Sequence, residues 1–234
     1  MASASGACAA SAKSTAPRWI FVWKTAFLTS IFCFRAKGRL PEARSIGAVK
    51  GNLFLFLRNS FFGFSTENWN REKKEIDYIF EVAYNLVEKN QDNFEDKNIK
   101  FVAMGELSRF PEKLRNILTE AMEKTKNNTG LVVNLAMNYG GRDDIVHAVN
   151  SLIEKGEKKI TVENLKENLY SAPSPDIDLL VRTSGEMRVS NFMLFQMAYS
   201  ELYFTKTCWP DFGKKELYKA LEEFSKRNRR FGGK

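Results

Sequence analysis

Ile177-Asp178-Leu179-Leu180-Val181-Arg182-Thr183-Ser184-Gly185-Glu186-Met187-Arg188-Val189-Ser190-Asn191-Phe192 is the stretch that decides the fold of this 234-residue chain. Its apolar start is too short for a helix and reads as a buried strand. Two arginines, three small hydroxyl residues and a glutamate follow at once. A strand that empties into a loop carrying Arg, Ser and backbone N–H donors is how an α/β protein presents an anion pocket at the carboxyl edge of its sheet. The plain alternative is a polar loop with two solvated arginines, and this stretch alone leaves both open.

Outward from it, apolar residues keep two alternating periods. Ile76, Ile79, Phe80, Ala83, Leu86 and Val87 recur at helical spacing and predict an amphipathic helix over about 72–90. Ile99–Met104 reads as a buried strand ended by Gly105. Pro111 opens a helix over about 111–126, with Leu114, Ile117, Leu118, Ala121 and Met122 on its inner face. The turn Asn128-Thr129-Gly130 leads into a strand over 131–137, and Gly140-Gly141 breaks the chain before a helix that reaches about 155. A short helix over 162–169, the strand 177–181, a short strand at Glu201–Phe204 and a helix over 214–230 complete the pattern. Alternating strands and helices imply an α/β fold with a mostly parallel central sheet flanked by helices.

The N-terminal quarter differs in texture. Residues 1–66 hold nine Lys or Arg against the single acid Glu42, whereas residues 67–234 hold 27 charges of each sign. The net charge of +8 therefore belongs to the N-terminal quarter, which argues against a nucleic-acid-binding body. Residues 1–18 are rich in Ala and Ser with Lys13 and Arg18, the composition of an organellar transit peptide. Plastid or another organelle is the expected location, with a cytoplasmic or membrane-associated one open beside it. Residues 19–34 are apolar around Lys24, but 16 residues fall short of the roughly 20 needed to span a bilayer. The domain is expected over 52–234. Residues 1–51 form an atypical region, open between a transit peptide and a misassembled segment.

Cys8, Cys33 and Cys208 are far apart and odd in number, so neither a metal set nor a disulfide framework is expected. His147, the only histidine, has no second histidine for a zinc site or triad and reads as structural.

Four polar clusters end apolar segments: Phe64–Arg71, Asn138–Asp143, the arginine loop, and Glu201 between Ser200 and Leu202. Segments leaving the carboxyl ends of parallel strands share one crevice. Arg, Ser, Asn and a lone carboxylate there suit a phosphate-bearing ligand with a divalent metal.

These clusters, with Ala198–Phe204, Trp209-Pro210-Asp211-Phe212 and Arg229–Gly233, closely resemble the cis-prenyltransferases of the undecaprenyl diphosphate synthase type, collinearly from about residue 62 to the end. The resemblance implies that isopentenyl diphosphate is condensed with an allylic diphosphate, farnesyl diphosphate being the expected one, to give a Z-polyprenyl diphosphate for polyprenol- or dolichol-type lipids. It assigns Arg182, Arg188 and Ser190 to the isopentenyl diphosphate, with Arg71, Arg230 and Gly232 as further substrate contacts. Ser65, Glu67 and Asn68 match catalytic positions, and Glu201 matches the Mg²⁺-holding glutamate. The C-terminal arm implies a homodimer, and the lipid product implies contact with a membrane surface. An apolar tunnel would hold the growing chain; Phe80, Leu86 and Leu118 are candidates for its wall and fit the plain core better.

One family element is missing. The resemblance requires an Asp-Gly-Asn segment before the first cluster, to bind Mg²⁺ and the allylic diphosphate, but the first aspartate of this sequence is Asp77. Hence the alternative: a catalytically impaired chain, or a non-catalytic partner subunit of a prenyltransferase dimer. The N-terminal region is expected to be irregular or incomplete and to leave strand edges of the sheet unpaired.

Overall fold

The computed structural model describes residues 31–40, 53–172 and 175–227, with side chains described from residue 58 onward. In chain order the elements are β1 (Ile31–Leu40), β2 (Leu53–Ser65), a 3-10 segment (Thr66–Asn70), α1 (Lys73–Glu88), α2 (Gln91–Asp96) and β3 (Lys100–Met104). There follow α3 (Glu112–Thr125), β4 (Val132–Tyr139), α4 (Gly141–Glu154), α5 (Val162–Asn168), β5 (Leu179–Arg182), β6 (Glu201–Phe204), a 3-10 turn (Trp209–Asp211) and α6 (Lys214–Lys226). Every helix and strand expected after residue 70 is present, with ends shifted by a few residues. The short α2 was not expected, because Phe94 is its one buried apolar residue and shows no period.

The strands form one sheet in the order β3-β4-β2-β1-β5-β6. The pairs β3/β4, β4/β2 and β5/β6 are parallel, and β1 runs antiparallel to both β2 and β5. The sheet is thus mostly parallel, as expected. The expectation of exposed edges needs correction: β1 fills the slot between β2 and β5, from Phe32 opposite Phe61 to Phe34 opposite Leu179. Two neighbours with unpaired N–H and C=O groups accept any extended segment able to complete their ladders. β1 falls in the region before residue 52, yet it is hydrogen-bonded into the sheet.

Side chains alternate across the sheet with period two, so each central strand feeds two cores. Leu135, Met137, Leu179 and Val181 face one side, where the buried residues of α1, α3 and α6 cover them. Ala136 and Leu180 face the other, with Tyr139, Ile177, Phe192 and Met193. Phe80, Leu86 and Leu118 lie in the first core; the Phe80 ring packs 5.0 Å from Phe110 and 5.2 Å from Phe64. No helix among the described residues is long and apolar enough to cross a membrane. Cys208 is disulfide-bonded although the sequence spacing led to the expectation of no disulfide framework, since spacing along a chain does not report approach in space. His147 is exposed on α4 and stacks on Tyr170 at 3.9 Å.

Candidate active site

β2, β4 and β5 run in the same direction, and their carboxyl ends carry Ser65, Tyr139 and Arg182. The loops that leave them enclose a cavity of about 670 Å³. One wall is the end of β2 and the 3-10 segment, with Ser65, Glu67, Asn68 and Arg71. The start of α4 adds Arg142, and the loop after β5 adds Arg182, Arg188, Ser190 and Asn191. Three of the four sequence clusters therefore converge, as the parallel sheet requires.

Arg182 is the deepest cation. It is the last residue of β5 and 7% exposed, and its Nε has no hydrogen-bond partner. Burial holds its guanidinium below the ordinary range, and the nearby Arg188 charge adds to this, while Glu186 opposes it. A buried cation with an unused donor beside a second arginine lacks an anion. Arg188 pairs with Glu186, and Arg71 with Glu75, both on exposed side chains or nearly so. The loop is shaped by backbone in the left-handed region at Ser184, Gly185, Ser190 and Asn191.

The opposite wall is tied by hydrogen bonds. The Ser65 backbone N–H donates to Asn68 Oδ1 at 2.9 Å, which closes the 3-10 turn. Trp69 Nε1 donates to Asn138 Oδ1 at 2.7 Å, and Thr66 Oγ1 donates to Asp143 Oδ2 at 3.1 Å. Burial alone would raise the Glu67 carboxyl, but hydrogen bonds from its own backbone N–H, Asn191, Ser65 and Thr66 outweigh it and hold the group below its ordinary value. Glu67 is therefore a carboxylate at neutral pH. Gly140 leaves room for three wall side chains: a Cβ there would lie 2.3 Å from Asp143 Oδ2, 2.7 Å from Asn191 Nδ2 and 2.8 Å from Thr66 Oγ1 and would displace them.

The N-terminus of α4 is already occupied. The Gly141 N–H donates to the Asn191 carbonyl at 2.6 Å and the Arg142 N–H to Asn191 Oδ1 at 2.9 Å. An anion in the cavity therefore meets arginine side chains rather than those two amides.

Glu201 stands apart. It pairs with Leu179 at the amino end of β5, three residues before Arg182, or roughly 10 Å along the strand. It accepts an ion pair from Arg227 at 2.9 Å and is not on the cavity wall. Arg230 and Gly232 lie outside the described residues, as do residues 1–18, whose composition led to the expectation of a transit peptide. Among the described residues, Glu67 is the one carboxylate on the wall, and no group of three or more His, Cys, Asp or Glu side chains that could hold a metal occurs. Arg142 and Asn191 were not singled out in the sequence, although both lie in the quoted clusters. The signal for Arg142 was its place just after Gly140-Gly141 at a helix start.

A prenyltransferase family model described as undecaprenyl diphosphate synthase matches residues 58–232. The chain is 44% identical over 180 residues to an isoprenyl transferase of Clostridium tetani, covering 74% of this chain and 71% of that protein. It is 45% identical over 172 residues to an isoprenyl transferase of Fusobacterium nucleatum, covering 74% of each. Among solved structures, a probable undecaprenyl diphosphate synthase from Campylobacter jejuni superposes with a TM-score of 0.67 at 43% identity, over 72% of this chain and 80% of that one. Lavandulyl diphosphate synthase from Lavandula x intermedia, in complex with dimethylallyl diphosphate, gives 0.68 at 34% identity, over 72% and 76%.

Proposed function

Since the chain belongs to the undecaprenyl diphosphate synthase family of prenyltransferases, we propose that its cavity binds isopentenyl diphosphate and condenses it with an allylic diphosphate into a Z-polyprenyl diphosphate. The observation that carries this is Arg182: buried, with a donor unpaired, in a cavity that also presents Arg71, Arg142 and Arg188. Guanidinium forks match diphosphate oxygens bidentately, and a desolvated one binds them most strongly.

In the reaction, a carbon–carbon bond forms between the allylic carbon and the isopentenyl alkene. The allylic C–O bond breaks, diphosphate departs, and the isopentenyl unit loses a proton. Arg182, Arg188 and Ser190 hold the isopentenyl diphosphate, and Arg71 and Arg142 face the remaining negative charge. Ser65, Glu67 and Asn68 line the wall opposite the arginine loop, where the alkene is oriented and its proton taken. Mg²⁺, when bound, offsets charge on the departing diphosphate. Glu67, on the cavity wall, would be the side chain to hold the ion, because Mg²⁺ needs only one or two carboxylates when phosphates complete its shell. Farnesyl diphosphate as primer, a homodimer, and a polyprenol- or dolichol-type product belong to the same reading.

A second reading is favoured by one observation. This sequence has no Asp-Gly-Asn segment, and Glu201 lies away from the cavity, so neither carboxylate that the family resemblance assigns to Mg²⁺ lines it. A chain that binds isopentenyl diphosphate and turns it over poorly, or serves a partner subunit, would look this way. Purified protein with labelled isopentenyl diphosphate, farnesyl diphosphate and Mg²⁺ separates the two. Long-chain product lost in Arg182→Ala supports the enzyme; binding without product supports the impaired subunit. Absence of isopentenyl diphosphate binding sinks both.

A further inference from the structure

Asn191, on the loop after β5, is hydrogen-bonded to both of the other walls of the cavity. Its Nδ2 donates to Glu67 Oε1 at 3.0 Å, across 124 residues of sequence. Its Oδ1 accepts from the Arg142 N–H at 2.9 Å, and its carbonyl accepts from the Gly141 N–H at 2.6 Å. The backbone stands at φ 61°, a conformation that Asn, Asp and Gly reach most readily. The carboxamide is used from both ends with opposite polarity, so its chemistry is required and not only its size. An aspartate of the same shape would keep the bond to Arg142 and set a second carboxylate against Glu67.

We propose that Asn191 is a positioning residue that holds the Thr66–Asn70 segment and the start of α4 in register with the arginine loop, so that Glu67 and Arg142 face the diphosphate bound by Arg182 and Arg188. The proposal rests on the diphosphate reading of the cavity. Gly140 marks how closely the parts are fitted, because Asn191 Nδ2 and Thr66 Oγ1 both lie within 2.8 Å of where a Cβ would stand. Without the carboxamide, Glu67 loses one of the bonds that keep it ionised, and α4 loses the side-chain acceptor on its Arg142 amide.

The test reverses the polarity of the clasp. Wild type, Asn191→Asp, Glu67→Gln and the double variant Asn191→Asp/Glu67→Gln are compared by calorimetric binding of isopentenyl diphosphate and by hydrogen exchange. In the double variant an amide faces a carboxylate again, with donor and acceptor exchanged. Asn191→Asp should weaken binding by about tenfold or more. It should also speed exchange in the 66–70 peptide, while the 141–142 peptide, whose acceptors an aspartate retains, exchanges as in the wild type. The double variant should recover most of both effects, which a residue serving stability alone would not show. Wild-type behaviour of Asn191→Asp, or a double variant no better than the single, overturns the proposal. Should Asn191→Asp not fold, Asn191→Gly keeps the backbone conformation and removes both side-chain bonds; unchanged exchange there overturns it equally. Failure of the wild-type protein to bind isopentenyl diphosphate would instead reject the diphosphate reading, and exchange alone would then decide whether the clasp exists.

Discussion

Trp69 and Asn138 are joined by a 2.7 Å hydrogen bond from the indole Nε1 to the amide Oδ1, which ties the segment after β2 to the end of β4. Asn138 is 3% exposed, stands at φ 47°, and donates through Nδ2 to the Glu106 carbonyl at 2.7 Å. The indole also packs against Phe64, Phe80 and Phe110 and under Arg109. Trp69→Phe keeps most of that packing and leaves Asn138 Oδ1 without its donor. The expected loss is about 1–3 kcal/mol of unfolding free energy, the cost of an orphaned buried acceptor. Denaturant unfolding reads it directly, and an unchanged midpoint would show that the bond contributes nothing net.

Arg182 should trade stability for binding. Its guanidinium is buried, with Nε unpaired and Arg188 nearby, so the folded protein bears a cost that only an anion relieves. Arg182→Met replaces it with an apolar chain of similar length. Thermal midpoint is expected to hold or rise, because a poorly compensated buried charge is removed. Binding of inorganic pyrophosphate should weaken by roughly ten- to hundredfold, the scale of hydrogen bonds to charged groups. Calorimetry and a thermal scan on the same sample check both halves. A variant that binds as wild type would remove Arg182 from the site.

The two halves of this fold differed in how readable they were. α1 and α3 were legible because Ile76, Phe80, Ala83, Leu86 and Val87, and likewise Leu114, Ile117, Leu118 and Ala121, fall on faces that the sheet then buries. A period is a local property, and burial follows it. β1 was not legible, since its position depends on an empty slot between β2 and β5, which no local pattern encodes. The same contrast runs through the site. The arginine loop announces itself by composition, and the parallel sheet brings it to Ser65 and Glu67. Glu201 belongs to an equally recognisable motif, but its register opposite Leu179 sets it at the other end of the strand pair from Arg182. Asn191 was hidden for the opposite reason: its role lies in contacts 49 and 124 residues away, with nothing unusual in its neighbours.

Asp144 should make stability fall as pH rises through the weakly acidic range. The carboxyl is fully buried; burial raises its pKa above the ordinary 3.8, and hydrogen bonds from the Tyr139 hydroxyl, the Tyr170 N–H and Gln196 only partly offset this. Between the unfolded value and the raised folded one, the native state binds more protons than the unfolded chain. The stability this contributes is complete below about 3.8 and is lost as pH climbs through the folded value. Asp144→Asn has no such titration. Urea unfolding of both proteins from about pH 4 to about pH 7 should therefore show the wild type losing ground to the variant. A difference that stays constant or moves in the wild type's favour would contradict the raised pKa.

Asn59 offers the clearest route to a more stable protein. It sits within β2, opposite Val133 of β4, with no exposed surface. Neither Oδ1 nor Nδ2 has a hydrogen-bond partner, whereas the buried Asn134 amide reaches Ser60 Oγ at 2.9 Å. An amide taken from water without compensation costs about 1–3 kcal/mol on protein scales. Asn59→Val removes that cost, approximates the volume and adds a β-branched residue that suits a strand interior. The expected gain is of order 1–3 kcal/mol in denaturant unfolding, with isopentenyl diphosphate binding unchanged, because Asn59 is not on the cavity wall. A loss of stability would mean that the amide is satisfied after all, and that its polar group helps to hold β2 in place.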